Sequence, residues 1–127
     1  MQDGITNNKT ILIVDDVKAI RERLRQLLNG MGFSRIDCAA NAKTAYQHLE
    51  AKPYDIIFLD IELPDSNGKE MLDCISDEYA HSKVVMCSGN NSLENIRQTW
   101  EMGAKGFISK PLNEKKVATI VKRLERF

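Results

Sequence analysis

The stretch FLDIELPDSNG, residues 58–68, joins two unlike things. It continues an apolar run begun by Ile56 and Ile57, and that run stops at one acid, Asp60. A strand apolar at successive positions is buried on both faces, as in a parallel sheet with helices above and below. Pro64 and Gly68 then mark a turn leading away. A carboxylate at the end of such a strand either starts that turn or sits there because the strand holds it rigidly for chemistry.

Outward from this stretch, two kinds of segment alternate. Short, apolar, β-branched segments lie at 10–14, 36–39, 54–59, 83–87 and 105–109. Longer segments with helical spacing separate them. Ile20, Leu24, Leu27, Leu28 and Met31 recur on one helix face, and Val117, Ile120, Val121 and Leu124 repeat the pattern. Ala42, Ala45, Tyr46 and Leu49 form a weaker stripe. Met71, Leu72 and Ile75 predict a helix after Gly68, and Leu93, Ile96 and Trp100 predict one before Gly103. Gly30 and Gly32 can end the first helix, Gly103 can cap the fourth, and Asn113 suits the N-cap of the last.

Five β-then-α units predict an α/β fold: a doubly wound, five-stranded parallel sheet with five helices on its two faces. The flavodoxin-like strand order 2-1-3-4-5 follows, with ligands expected beyond the carboxyl ends of the strands, between the first and third.

The chain has 127 residues, enough for one domain with its own core. Residues 1–9 read as a polar leader and 10–127 as the domain. Lys+Arg and Asp+Glu both total 18, so no overall basic footprint points to direct nucleic-acid binding. No apolar run approaches the roughly 18–20 residues that span a bilayer, and the N-terminus lacks a signal peptide's apolar core. A cytoplasmic protein without membrane contact is expected. Cys38, Cys74 and Cys87 match neither a disulfide framework nor a CxxC metal site, and read as reduced, buried small hydrophobes.

The polar residues at the strand ends form a set. The first strand ends in Asp15 and Asp16, the third in Asp60, the fourth in Ser88 and the fifth in Lys110. Singly, each has an ordinary role: Asp16 as an N-cap, Asp60 as a turn starter, Ser88 as turn punctuation, Lys110 as a solvated side chain. Together, at five successive strand ends, they predict one pocket. Three clustered carboxylates repel, and a hard divalent cation such as Mg²⁺ or Mn²⁺ relieves that repulsion. No His or Cys accompanies them, which argues against zinc. Metal and lysine would together hold a phosphoryl group, and a carboxylate can itself be the nucleophile.

VDD at 14–16, LDIELPDSNG at 59–68, CSG at 87–89 and GAKGFISKP at 103–111 resemble the receiver domain of two-component response regulators, over nearly the whole chain. The resemblance implies that Asp60 is the phosphoacceptor. It implies that Asp15, Asp16, Asp60 and the backbone carbonyl of Glu62 hold Mg²⁺. Ser88 would hydrogen-bond the phosphoryl oxygen, Lys110 would pair with it, and a cis Lys110–Pro111 peptide would aim that lysine. Phe107 takes the place of the aromatic switch residue, without a phenol. The readout surface would be the fourth helix, fifth strand and fifth helix. Ile96 and Trp100 either extend a patch with Phe107 there or pack into the core. The side chain of Glu62 is expected to influence the lifetime of the phosphorylated state.

The expected partners are a histidine kinase or histidine phosphotransfer protein, then an output protein. A single-domain regulator of the chemotaxis kind, monomeric or weakly dimeric, is expected, and it catalyses its own phosphorylation and dephosphorylation. A receiver cut from a longer regulator, or a partner-binding receiver that takes no phosphate, are the alternatives. A dehalogenase-type phosphatase would carry DxDx after the first strand, and a flavodoxin would carry a Ser/Thr/Gly-rich phosphate loop there. DDVKA, at 15–19, is neither.

Overall fold

The computed structural model describes residues 7–125. Strands β1 (Asn7–Val14), β2 (Phe33–Ala39), β3 (Ile56–Asp60), β4 (Lys83–Ser88) and β5 (Gly106–Ser109) alternate with helices α1 (Lys18–Gly30), α2 (Ala42–Ala51), α3 (Gly68–Glu78), α4 (Leu93–Glu101) and α5 (Glu114–Leu124). All neighbouring strands pair in parallel, in the order β2-β1-β3-β4-β5. This is the expected doubly wound arrangement. Residues 1–6 of the expected leader, and residues 126–127 of the expected domain, lie outside the described residues.

Strand residues alternate between two apolar cores because successive side chains point to opposite faces. Ile11, Ile13, Phe58, Val85 and Ile108 meet α1 and α5 through Leu24, Leu28, Val117 and Val121. Leu12, Val14, Ile57, Leu59, Val84 and Met86 meet α2 and α3 through Ala45, Leu49, Met71, Leu72 and Ile75. Burial on both sides accounts for the continuous apolar runs. Burying each large side chain contributes about 1.5–3 kcal/mol, so this sheet is the rigid base of the molecule.

Helix α4 departs from that pattern. Among the described residues, none from Leu93–Glu101 belongs to either apolar core. Its buried positions are Asn95 and Thr99, while Leu93 is 86% exposed and Trp100 60%. Ile96 is half-buried. The Leu93–Trp100 stripe therefore faces outward at both ends, and the reading of Trp100 as a core residue fails.

Caps fall at polar residues. Asn41, Asn67, Ser92 and Asn113 each accept a backbone N–H of the first turn of α2, α3, α4 and α5. Gly32 and Gly103 follow α1 and α4 with φ of 98° and 107°, the left-handed region that glycine adopts at least cost. Strand β3 starts at Ile56, two residues later than the apolar run at 54–59 implies. Tyr54 and Asp55 turn to other partners: the Tyr54 hydroxyl donates to Asp37 Oδ2 at 2.6 Å, and Asp55 Oδ2 accepts from the Thr10 N–H at 2.8 Å. All three cysteines are free; Cys87 is buried, and Cys38 and Cys74 are half-buried.

Candidate functional site

Four strands deliver the site. Register puts Val14 beside Leu59 and Asp60 beside Cys87, so Asp15, Asp60 and Ser88 emerge at one end of the sheet. The Lys110 N–H donates to the Ser88 carbonyl at 2.9 Å, extending the β4–β5 pairing by one residue. The Lys110–Pro111 peptide is cis.

The carboxylates of Asp15, Asp16 and Asp60 offer oxygens that all lie within 4.8 Å of one another. Lys110 bridges two of them, with Nζ 2.9 Å from Asp15 Oδ2 and 3.3 Å from Asp60 Oδ2. Asp15 and Asp60 are buried; Asp16 is exposed. Asp16 does not cap α1. Val17 takes that position with no side-chain bond, and its N–H donates instead to Asp15 Oδ1 at 2.9 Å. The exposed carboxylate of Asp16 is thus left at the mouth of the site. Arg21 braces the same turn by donating to the Asp15 carbonyl at 2.8 Å.

Burial first, then the neighbouring Asp15 carboxylate, hold the Asp60 carboxyl above its ordinary range, against the opposite pull of Lys110. For Lys110, burial alone would lower the ammonium's pKa. Hydrogen bonding and attraction to Asp15, then Asp60, outweigh burial and raise it. Three carboxylates against one ammonium leave an excess of negative charge in a partly closed space. That donor set, all hard oxygen and gathered within 4.8 Å, fits a divalent cation such as Mg²⁺.

The loop after Asp60 is tightly built. The Glu62 N–H donates to Asp60 Oδ1 at 3.2 Å, and the Gly68 N–H donates to the Ile61 carbonyl at 2.7 Å. A Cβ at Gly68 would stand 2.2 Å from the Asp60 carbonyl oxygen, so only glycine permits this approach. Asp16, Asp60, Glu62, Gly89 and Lys110 line an open cleft of about 320 Å³. Glu62 itself is exposed at its rim. Ser88 is buried, and its Oγ accepts the Asn90 N–H at 3.0 Å, which leaves the hydroxyl proton for another acceptor. Phe107 is half-buried on β5, packed against the α2/α3 core, and lines a shallow hollow with Lys116 and Thr119.

Two contributors carry no local signal in the sequence. Asp65 accepts the N–H groups of Ala42 at 2.8 Å and Lys43 at 3.1 Å, tying the loop after Asp60 to the start of α2. Those two bonds hold its carboxyl below the usual range. Asn95 Nδ2 donates to the Asn90 carbonyl at 2.9 Å, tying the loop after Ser88 to α4.

Fold and site together define a class: a doubly wound domain with an acidic, lysine-bridged pocket at its strand switch point. The family profile described as the response regulator receiver domain matches residues 11–122, and the chain belongs to this family, the receiver domains of two-component systems. An NtrX-like response regulator of Rickettsia felis is 35% identical over 89% of this chain, which spans 24% of that protein. The Protein CcdB of Bacillus subtilis is 32% identical over 90% of this chain and 95% of its own. A two-component response regulator from Clostridium difficile superposes with a TM-score of 0.86 at 29% identity, covering 94% of this chain and 97% of that one. The chain thus spans about a quarter of the NtrX-like relatives it matches. No helix among the described residues is long and apolar enough to cross a membrane.

Proposed function

We propose that Asp60 accepts a phosphoryl group from the phosphohistidine of a histidine kinase or phosphotransfer protein. A carboxylate oxygen of Asp60 forms the O–P bond as the P–N bond to the imidazole breaks, and the leaving nitrogen takes up a proton. Water later attacks the phosphorus, the O–P bond breaks, and Asp60 and inorganic phosphate are released. The observation that carries this reading is Lys110 bridging Asp15 and Asp60 beside a third carboxylate.

Each neighbour has a role in that chemistry. Asp15, Asp16, Asp60 and the Glu62 carbonyl would hold Mg²⁺, which supplies charge neutralisation for the phosphoryl oxygens when bound. Lys110 exchanges a carboxylate partner for a phosphoryl oxygen. The Ser88 hydroxyl donates to another such oxygen and draws the loop after β4 inward. Phe107 follows by packing, since it has no phenol. The phosphorylated arrangement is a population shift, stabilised by the contacts that only it makes with Ser88 and Lys110. Glu62, at the cleft's rim, governs water's approach, so Glu62→Ala changes the lifetime of the mark. The chain works in the cytoplasm, as its kinase partner requires, and presents α4, β5 and α5 to an output protein.

Intact mass after incubation with acetyl phosphate and Mg²⁺ tests this. One phosphoryl adduct is expected on the wild type, and none on Asp60→Asn or after EDTA. An adduct that survives Asp60→Asn would overturn the assignment.

A further inference from the structure

Helix α5 begins against its own electrostatics. Its first turn holds Glu114, Lys115 and Lys116, and the partial positive charge at a helix N-terminus disfavours an ammonium there. Lys115 reaches solvent, whereas Lys116 is half-buried. The Lys116 side chain turns back over the segment that enters the helix. Its Nζ lies 3.2 Å from each of three oxygens: the Ser109 carbonyl, the Ser109 hydroxyl and the Pro111 carbonyl. An ammonium has three N–H donors, and three neutral acceptors meet them.

Those acceptors flank one residue. Ser109 precedes Lys110 and Pro111 follows it. The Lys110 N–H is fixed to the Ser88 carbonyl on β4 at 2.9 Å. Pro111 has no N–H, so its carbonyl is the backbone group by which it can be held. The base of Lys116 is itself rigid. Its N–H donates to Asn113 Oδ1 at 2.9 Å, and the next residue, Val117, is fully buried in the α1/α5 core. Lys116 therefore ties the 109–111 segment to an anchored helix. Lys110 Nζ, at the end of a long flexible stem, reaches both Asp15 and Asp60 from that segment.

We infer that Lys116 is a positioning residue: its ammonium clamps the backbone on both sides of Lys110 and so sets where the Lys110 ammonium meets Asp60. Among the described residues, the Lys116 ammonium bonds only to Ser109 and Pro111, so it acts on the acidic site through Lys110. The consequence for phosphorylation rests on the phosphoacceptor reading above; the clamp itself does not.

Lys116→Met keeps the reach of the side chain and removes its donors. Lys116→Ala, with a strong helix former, is run beside it, and cooperative thermal unfolding shows that each variant is folded. The first readout needs no phosphodonor. Lysines of the full chain are acylated with the N-hydroxysuccinimide ester of acetic acid, and each site is followed by peptide mass spectrometry. Lys110 is expected to react about threefold or more faster in both variants, because its segment opens more often. Lys69, bonded to Gln98 on α4, keeps its rate. The second readout is the initial rate of adduct formation with acetyl phosphate at saturating Mg²⁺, by intact mass. It is expected to fall about tenfold in Lys116→Met, since a small misplacement of a catalytic group is costly. It should fall no further when Lys116→Met is added to Lys110→Met. Unchanged acylation of Lys110, or acylation that rises at every lysine alike, overturns the inference. So does an equal rate loss with and without Lys110, which is what a merely structural role predicts. Wild-type adduct formation that Lys116→Met leaves untouched overturns the inference alone. No adduct on the wild type, with Lys110 acylation raised in the variants, overturns the phosphoacceptor reading alone.

Discussion

Helices α4 and α5 flank β5, and each carries a clear apolar stripe, but the stripes point opposite ways. On α5, Val117, Ile120, Val121 and Leu124 are all buried. On α4, Leu93 and Trp100 face solvent, and the buried side chains are Asn95 and Thr99. Apolar burial fixes α5. Polar contacts hold α4: Asn95 to the Asn90 carbonyl, Lys69 Nζ to Gln98 Oε1 at 2.7 Å, and the Ser76 hydroxyl to the Met102 carbonyl at 2.9 Å. Net, each such bond contributes only about 0.5–1.5 kcal/mol, and it can be exchanged for another. The helix with the weakest apolar anchorage is also wired to Ser88, through the bond from the Asn90 N–H. Low local stability beside the acidic site is what a movable element requires.

Four substitutions sharpen or break this contrast. The largest loss is expected for Leu124→Ala on α5, about 2–5 kcal/mol by denaturant unfolding, because a core side chain is deleted. Asn95→Ala should cost about 1–2 kcal/mol by removing a buried donor, and should speed amide exchange at residues 90–92. Asp60→Asn should raise Tm at neutral pH without divalent metal. The sign follows from the carboxyl being raised in the folded state: the ionised form opposes folding above that raised pKa. The advantage of the variant shrinks as pH falls through the folded pKa and vanishes below the unfolded one. Mg²⁺, by binding the wild type, should narrow it at neutral pH. Trp100→Ala should be smallest, within about 0.5 kcal/mol. A Trp100→Ala loss equal to that of Leu124→Ala would end the comparison.

The strands were legible because burial on both faces writes itself as an unbroken apolar run, as in residues 56–59. The site was legible because strand ends are easily located, and Asp15, Asp16, Asp60, Ser88 and Lys110 all stand at them. The orientation of α4 was not legible. Periodicity marks a face of a helix but does not say whether core or solvent lies against it. Nor was the tie from Asp65 to α2, whose partners are 23 and 22 residues away in the chain. Tyr54 was drawn into the third strand by its apolar ring, whereas its hydroxyl commits it to Asp37. Burial and the Asp37 hydrogen bond also raise its phenol's pKa.

Amide hydrogen exchange with and without beryllofluoride, in Mg²⁺, tests most directly whether a group on Asp60 is read out through α4. Protection is expected to change across residues 88–101 and 105–109, to stay unchanged in the buried turns of α5, and to respond to nothing in Asp60→Asn. Identical exchange in the two states, a change confined to α5, or a change that persists in Asp60→Asn would contradict the account.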